Sequence, residues 1–329
     1  MSTLAPTLQG FFTDRLSRQR RASQHTIAAY RDTCKLLLAF AWQQTGKAPA
    51  QLNVADLDAP LISAFLDHLE TGRGNSARTR NARLAAIHAL FGYAALRHPE
   101  DAAIIQRVLA IPAKRFDRTI ITYLTEQEII ALLAAPDRTT WTGRRDHALL
   151  MLACQTGLRA TELTQLTAGD AHLGTGPHVS CLGKGRKQRI TPLTATTVTV
   201  LTGWLTERGG QPADPLFPTR AGTPLSRDAL ERRVTKHAAT AALSCPALHY
   251  KKISPHTLRH SAAMRLLGAG VDITVIALWL GHENIATTQI YIHADLALKE
   301  RALARTALQD VTPGRYQPTD TVLAFLDGL

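Results

Sequence analysis

The last third of the chain contains a group of polar side chains that could bind a phosphodiester and attack it. His256 and Arg259 are three residues apart, His282 follows a glycine, and Tyr291 comes nine residues after His282. Guanidinium and imidazole groups donate hydrogen bonds to phosphate oxygens, and a phenol oxygen becomes a nucleophile when it loses its proton. Taken singly, His256 is an ordinary helix-start histidine and Tyr291 a half-buried core tyrosine, so the chemical hypothesis depends on further cations upstream.

One such cation is Arg159, which follows a turn at Gly157 and lies where a helix is predicted to start. An arginine at a helix N-terminus is electrostatically unfavourable unless an anion is bound there. Glu162, three residues on, can brace the guanidinium, whose planar fork fits two phosphate oxygens at once. The segment alone leaves two interpretations open, a phosphate clamp and a plain ion pair at a helix start.

A second cation is carried by a glycine-rich turn. Residues 178–182 and 188–193 have strand-like composition and flank a Gly-Lys-Gly-Arg-Lys run. This pattern predicts a β-hairpin whose turn carries Lys184, Arg186 and Lys187.

Local signals place His256 and Arg259 on one helix. Ser254 is the predicted N-cap and Pro255 the first-turn residue of a helix that carries His256 and Arg259 on one face. His260, four residues after His256, raises the alternative of a metal site. No carboxylate or cysteine completes a ligand set there, so no metal is expected.

The N-terminal half is predicted to be helical, because apolar residues recur there at helical spacing. Ser23 is the expected N-cap of one helix. Residues 76–93 form another helix, which begins in a Gly/Ser turn and carries several arginines, an arrangement that suits phosphate contact. A solvated basic face explains any single arginine equally well. With two cations of the hairpin turn, the candidate nucleic-acid contacts are Arg73, Arg78, Arg80, Arg83, Arg186 and Lys187.

Residues 111–118 form a Pro-containing, basic and aperiodic stretch, which is typical of an interdomain linker. We place the linker at residues 113–118. We therefore predict an N-terminal helical domain at 1–112 and a second domain at 119–312. The remaining residues, 313–329, form a tail. Its apolar end, 320–329, suits either a docking helix on a flexible arm or packing onto its own domain.

The composition indicates a globular protein with a polyanionic partner. Of the 329 residues, 45% are hydrophobic, and the formal charge is +12 with a pI of about 10.0. Up to residue 115 there are 15 Lys and Arg against 8 Asp and Glu, and the remainder has 23 against 18. A cation excess in both halves is expected if both contact the same nucleic acid. A basic surface that only aids solubility is the alternative.

Several protein classes are disfavoured. The four cysteines are scattered without a CxxC pair, so neither disulfides nor a zinc site is expected, and a reducing cytoplasm fits. No apolar run is long enough to span a bilayer, and the N-terminus lacks the features of a signal peptide. The absence of a GxxxxGK[ST] motif and of a carboxylate cluster argues against nucleotide-dependent and two-metal chemistry.

Together these motifs resemble the tyrosine recombinase family, the phage-integrase and Xer-like site-specific recombinases, from about residue 8 to residue 300. Each motif is weak alone, but their order and spacing match the family pattern without departure. By that resemblance, Glu162 is an acidic helper and the catalytic residues are Arg159, Lys184, His256, Arg259, His282 and Tyr291. The resemblance implies a mostly helical α+β fold. A helical core-binding, SAM-like domain precedes a mainly helical catalytic domain with a small antiparallel β-sheet.

The resemblance also implies a reaction. Tyr291 would attack a DNA phosphodiester and form a 3′-phosphotyrosyl link, Arg159 and Arg259 would stabilise the developing charge, and Lys184 would protonate the leaving oxygen. The two histidines of the set would hydrogen-bond the phosphate or assist proton transfer. No cofactor or metal is required. Four protomers would hold two double-stranded DNA sites in the cytoplasm, at the nucleoid. They would exchange strands through a Holliday junction, with C-terminal segments docked in trans, and a second recombinase is compatible as a partner.

Two other functions share part of this pattern. A type IB topoisomerase uses similar phosphotyrosine chemistry. The compact two-domain length and the Xer-like sequence of the motifs favour recombination instead. The second is a DNA-binding accessory protein that has lost catalysis, and the complete set of Arg, Lys, His, Arg, His and Tyr argues against it. The motifs do not distinguish integration, excision, transposition and chromosome dimer resolution.

Overall fold

A computed structural model of the chain describes residues 4–116, 121–183, 188–282 and 287–294. The chain divides into two compact units, residues 1–118 and residues 119–329. Both units are mainly helical, and the second also contains a small antiparallel sheet. The predicted fold class is therefore confirmed. None of the described helices is both long enough and apolar enough to cross a bilayer.

The first unit consists of helices joined by short turns. In chain order its helices are α1 (Leu4–Gly10), a π-helical segment (Phe11–Gln19), α2 (Gln24–Thr45), α3 (Ala59–Thr71), α4 (Ala77–Ala94) and α5 (Ala102–Leu109). The predicted cap at Ser23 is confirmed, because its hydroxyl accepts a hydrogen bond from the backbone N–H of Thr26 at 3.2 Å. Apolar side chains from several of these helices, including Leu37, Phe65 and Phe91, form the core.

The beginning of the predicted linker is attached to α4. The Arg80 guanidinium donates to the carbonyl oxygen of Pro112 at 3.1 Å, and the Asn81 amide donates to that of Lys114 at 2.7 Å. The Lys114 backbone N–H donates back to Asn81 at 3.0 Å. These contacts hold the chain against the first unit up to this point, and the last two residues of the predicted linker lie outside the described part of the chain.

The second unit contains the predicted hairpin within a three-stranded antiparallel sheet of order β1-β2-β3. Its helices are α6 (Glu126–Ala134), α7 (Trp141–Thr156), α8 (Ala160–Gln165), α9 (Ala195–Arg208), α10 (Arg227–Ala242), α11 (Pro255–Gly268), α12 (Ile273–Leu280) and α13 (Gln289–Ala294). Its strands are β1 (Ala171–His172), β2 (His178–Leu182) and β3 (Gln188–Pro192). Leu182 at the end of β2 pairs with Gln188 at the start of β3, and residues 184–187 between them lie outside the described part of the chain.

The start of α11 and the ends of α7 and α12 are each set by a residue that favours a helix terminus. Ser254 caps α11 by accepting a hydrogen bond from the Thr257 N–H at 3.3 Å, which confirms the prediction. Helices α7 and α12 both end at a glycine in the left-handed region, Gly157 and Gly281, each with φ of 64°. Left-handed backbone is inexpensive for glycine and disfavoured for other residues. The two turns bring the segments after α7 and α12 towards the start of α11.

Candidate active site

The structure brings five of the six predicted catalytic residues into one site of the second unit. Arg259 of α11 contacts the ends of both α7 and α12, because it donates to the carbonyl oxygens of Gly157 and Leu280, both at 2.7 Å. Arg159 donates to the carbonyl oxygen of Gly281 at 2.8 Å. The two arginines therefore tie the turn after α7 to the turn after α12. Lys184, the sixth residue, lies outside the described residues.

Glu162 braces the first arginine, as its spacing predicts. Its carboxylate accepts from the backbone N–H of Arg159 at 2.7 Å and from the guanidinium of the same residue at 2.8 Å. Burial alone would raise the pKa of Glu162, but this N–H and the guanidinium groups of Arg189 and Arg159 hold that pKa below its ordinary value. Glu162 is thus a buried anion between two cations, and it restricts where the Arg159 side chain can lie.

Arg189 is a site residue that the sequence interpretation missed. From β3 it donates to Glu162 at 2.9 Å and to the carbonyl oxygen of Leu280 at 2.8 Å. Its local sequence predicts only a strand residue, since nothing there distinguishes it from other cations near the hairpin turn. A charged residue within a predicted β-strand, two positions after the cationic run, is the signal that could have found it.

The Gly281 turn depends on the absence of a side chain. A Cβ at this position would overlap the Nη1 atom of Arg189, and the positive φ adds strain for any other residue. We expect Gly281→Ala to lower the free energy of unfolding by about 1–3 kcal/mol, measured by urea denaturation. Gly268→Ala is the matched control, because Gly268 ends α11 with open space around its Cβ position. Equal urea midpoints for the two variants would contradict this account.

Tyr291 lies at the back of the site rather than at its surface. Only 1% of the residue is exposed, and its ring belongs to an apolar cluster with Met264 of α11 and Leu280 of α12. Its hydroxyl is 3.0 Å from Nδ1 of His260, a residue that the sequence interpretation considered only as a metal ligand. The rings of His260 and His256 meet edge to face, with centroids 4.2 Å apart.

His282 is oriented by a neighbour that was not predicted. Its Nδ1 lies 2.7 Å from the hydroxyl of Thr288, which is fully buried. The imidazole lies parallel to the Tyr291 ring at a centroid distance of 6.5 Å. Thr288 precedes α13, so the contact joins the turn after α12 to the helix that carries the tyrosine.

Burial and the two arginines set the charge states of the site. Burial raises the pKa of Tyr291 to about 12, although Arg259 and Arg159 oppose the shift. Burial and the nearby cations lower the pKa of His260 to about 4 and that of His282 to about 4. The phenol and both imidazoles are therefore neutral at pH 7, while burial lowers the pKa of Arg259 only to about 10, which leaves it charged. A site with charged arginines and neutral histidines favours an anionic ligand.

These shifts predict a stability that falls as pH is lowered from about 6.5 to about 4. In that range unfolded imidazoles bind protons that the folded site excludes, so protons favour the unfolded chain. The urea midpoint should therefore decrease with pH, and less steeply in a double variant with His260→Gln and His282→Gln. His249→Gln, at an exposed position, is the control that should keep the wild-type slope. A double variant with an unchanged slope would refute the assignment.

A cleft of about 460 Å³ opens in front of the arginines. Arg159, His256 and Arg259 line it, as do the first residues of α10 and α11. Backbone N–H groups at helix N-termini attract anions, which adds to the charge of the arginines. Asp228 and Glu231 of α10 also line the cleft, so it carries both signs of charge, and three of the predicted catalytic residues reach it.

The candidate DNA contacts of the first unit differ in accessibility. Arg73 and Arg78 are exposed, and the Arg78 guanidinium lies 5.3 Å from the ring centroid of Phe116. Arg83 is partly buried and donates to Thr33 at 3.2 Å. Arg80 is buried in its contact with Pro112 and is not presented to solvent in this structure. The two candidates of the hairpin turn, Arg186 and Lys187, lie outside the described residues.

One group of described residues has the spacing of metal ligands, and it lies away from the predicted catalytic residues. The described group with metal-like spacing is His98, Glu100 and Asp101, which belongs to the first unit and contains none of the predicted catalytic residues. His260 instead makes its hydrogen bond to a phenol.

Two family models match the chain. The model described as "Phage integrase family" matches residues 122–297, a range that contains all six predicted catalytic positions. The model described as "Phage integrase, N-terminal SAM-like domain" matches residues 10–98. The order of the two matches is the order of the two compact units.

Individual proteins are similar over nearly the whole chain. The protein y4rC of Sinorhizobium fredii, whose name assigns it provisionally to the integrases and recombinases, is 53% identical over 330 residues, covering 100% of this chain and 99% of the relative. "Tyrosine recombinase XerD" of Pseudomonas aeruginosa is 32% identical over 326 residues, covering 97% and 99%. The crystal structure of the XerH site-specific recombinase bound to a palindromic difH substrate is similar in fold. It has a TM-score of 0.66, 24% identity and coverage of 87% and 81%.

The catalytic family model covers more than half of the chain, and two relatives match it over nearly the full length of both chains. The chain therefore belongs to the phage integrase family of tyrosine recombinases, site-specific recombinases that break and rejoin DNA.

Proposed function

We propose that this recombinase cleaves and rejoins DNA through a covalent 3′-phosphotyrosyl link to Tyr291. The observation that carries the proposal is the placement of the Tyr291 phenol in one site with two guanidinium groups, beside a cleft open to a polyanion. A buried phenol without cations would be an ordinary core residue. Here Arg259 and Arg159 act on Tyr291 and both line the cleft, which supports a role in attack on a phosphate.

The arginines would act on charge that develops during attack. Attack by Oη of Tyr291 adds negative charge to the non-bridging oxygens, and fixed cations stabilise that state more than the ground state. Glu162, Leu280 and Gly281 hold the two guanidinium groups in place before DNA binds, so little reorganisation is needed.

The leaving 5′ oxygen needs a proton, which we assign to Lys184. The support is indirect: Arg189 of β3 is hydrogen-bonded within the site, and Lys184 precedes it by five residues in the sequence. The phosphotyrosyl link keeps the energy of the broken bond. A 5′ hydroxyl of another strand can therefore reverse the step without a nucleotide cofactor.

We further propose that four protomers join two double-stranded DNA sites and exchange strands through a Holliday junction. The support is the family membership and the similarity to XerH, whose crystal structure is of a complex with its difH substrate. Arg73, Arg78 and Arg83 are the described candidates for contact with DNA by the first unit, and DNA of the nucleoid would be the cellular substrate. Docking of residues 320–329 in trans, and a second recombinase as partner, belong to the same proposal.

The chemistry of the link can be tested on nicked duplexes. A nick close to the cleavage point lets a short strand diffuse away, so the covalent complex accumulates. A label at the 5′ end of the cleaved strand should remain with the protein after denaturation in SDS. The released end should carry a 5′ hydroxyl that a polynucleotide kinase phosphorylates without prior phosphatase treatment. A label that leaves with the released strand, or a blocked 5′ end, would contradict a 3′-phosphotyrosyl link.

A further inference from the structure

His260 contacts the proposed nucleophile more directly than any described residue of the predicted catalytic set. Within the described residues, the Tyr291 hydroxyl has one side-chain hydrogen-bond partner, Nδ1 of His260, at 3.0 Å. The rings of His282 and Tyr291 lie parallel with centroids 6.5 Å apart, and the Nδ1 of His282 is directed to Thr288. The geometry thus separates a histidine that is hydrogen-bonded to the reacting oxygen from one whose Nδ1 is hydrogen-bonded to Thr288.

The position of Tyr291 makes this contact chemically significant. A phenol that is 1% exposed cannot pass its proton directly to bulk water, so a neighbouring group must accept the proton when the oxygen attacks. Burial, His256 and Arg259 lower the pKa of His260 to about 4, so its imidazole is neutral at pH 7. A neutral imidazole with Nε2 protonated offers Nδ1 as an acceptor, which matches a hydroxyl donor at hydrogen-bond distance.

We infer that His260 positions the Tyr291 hydroxyl and accepts its proton at Nδ1 when Oη attacks phosphorus, an inference that rests on the proposed function. In this step the Oη–H bond breaks and the proton moves to Nδ1. The Oη–P bond forms and the P–O5′ bond breaks, and the leaving oxygen takes a separate proton from its own donor. In the reverse reaction, protonated His260 returns its proton to Oη as the tyrosine leaves.

The timing of the transfer follows from the surroundings of the pair. The groups that act on it are His256 and Arg259 from α11, Arg159 from the start of α8, and His282 from the turn after α12. With the pKa of Tyr291 at about 12 and that of His260 at about 4, a tyrosinate formed before attack would be very rare. The proton therefore moves as the new bond forms. The negative charge of the bound phosphodiester favours the imidazolium that results.

From His260 the proton can pass to solvent through His256, which lies on the same helix. His256 is exposed, and its ring touches that of His260. An exposed imidazole next to a partly buried one can exchange protons with solvent. This arrangement gives His256 a function that differs from direct contact with the phenol.

The substrate for a test can be found without knowledge of the recombination site. Randomly nicked genomic DNA from the organism that carries the gene is incubated with the wild-type protein, and fragments that remain bound in SDS are sequenced. The fragment captured most often is then synthesised as a nicked duplex, with either oxygen or sulfur at the 5′ bridging position. A sulfur leaving group departs without protonation, so it removes the need for the general acid and leaves the need for a base.

His260→Ala should slow covalent-complex formation by about 10²–10⁴-fold, with DNA binding in a gel-shift assay unchanged. The wild-type rate should be nearly flat over neutral pH, whereas the variant rate should rise by about tenfold per pH unit, because phenolate must then form by itself. Sulfur substitution should restore Lys184→Ala and leave His260→Ala slow. His249→Ala, at an exposed position of the same unit, should match the wild type in every assay.

His260→Asn separates positioning from proton transfer. Its amide oxygen can accept the hydrogen bond near the place of Nδ1 but cannot take the proton, so this variant should remain slow and steeply pH-dependent. A wild-type rate and a flat pH profile in His260→Asn or His260→Ala would overturn the inference alone, as would rescue of His260→Ala by sulfur. If the wild-type protein forms no covalent complex that depends on Tyr291, the proposed function fails and this inference fails with it.

Discussion

Tyr291→Phe is expected to lower covalent DNA attachment by about 10⁴-fold or more, because it removes the oxygen that, in the proposed function, forms the bond to phosphorus. The phenyl ring keeps its place in the apolar cluster with Met264 and Leu280, so the fold of the site should persist. The lost hydrogen bond to His260 should lower the free energy of unfolding by only about 1 kcal/mol. The measurements are SDS-resistant complex on a nicked duplex and non-covalent binding by gel shift.

Tyr250→Phe provides the control for this substitution. Tyr250 lies in the same unit and is 92% exposed, so loss of its hydroxyl should change neither attachment nor stability. Attachment that survives in Tyr291→Phe would show that another residue is the nucleophile. Loss of non-covalent binding in the same variant would show that the phenol hydroxyl holds DNA rather than attacking it.

Arg259→Lys is expected to reduce the rate of covalent attachment by about 10²–10³-fold. The guanidinium is 3% exposed and donates to Gly157 and Leu280 at the same time, which a single ammonium group cannot do with the same geometry. The charge would remain, but the turn before His282 would lose one of its attachments. The substitution should also lower the free energy of unfolding by about 2–3 kcal/mol.

The two effects of Arg259→Lys can be separated by temperature and by a control. The rates of the wild type and of Arg259→Lys are compared well below the unfolding temperature of the less stable protein. Circular dichroism shows that both are folded there. Arg265→Lys, an exposed position on α11, should behave as wild type in both assays. A rate within a factor of about three of wild type for Arg259→Lys would contradict a role in transition-state stabilisation.

Several features of this protein follow from short stretches of its sequence. The caps at Ser23 and Ser254 and the hairpin depend on residues a few positions apart, so local chemistry predicts them. The contact between Arg159 and Glu162 also spans only three residues. The order and spacing of the motifs indicated the family, which the comparisons confirmed. The spacing of Arg78, Arg80 and Arg83 predicts DNA contacts, but it does not show which of these side chains is buried in the first unit. In the structure Arg80 is buried.

The contacts that complete the site join residues far apart in the chain. Arg189 reaches Leu280 across 91 positions, and His260 reaches Tyr291 across 31. Their side-chain types are common, and neither position stands out in its own segment. Their function depends on how β3, α11, α12 and α13 pack together, since the apolar contacts of Tyr291 place its hydroxyl at Nδ1 of His260. The sequence thus specifies the chemical groups and local turns, whereas long-range packing determines which group faces the hydroxyl of Tyr291.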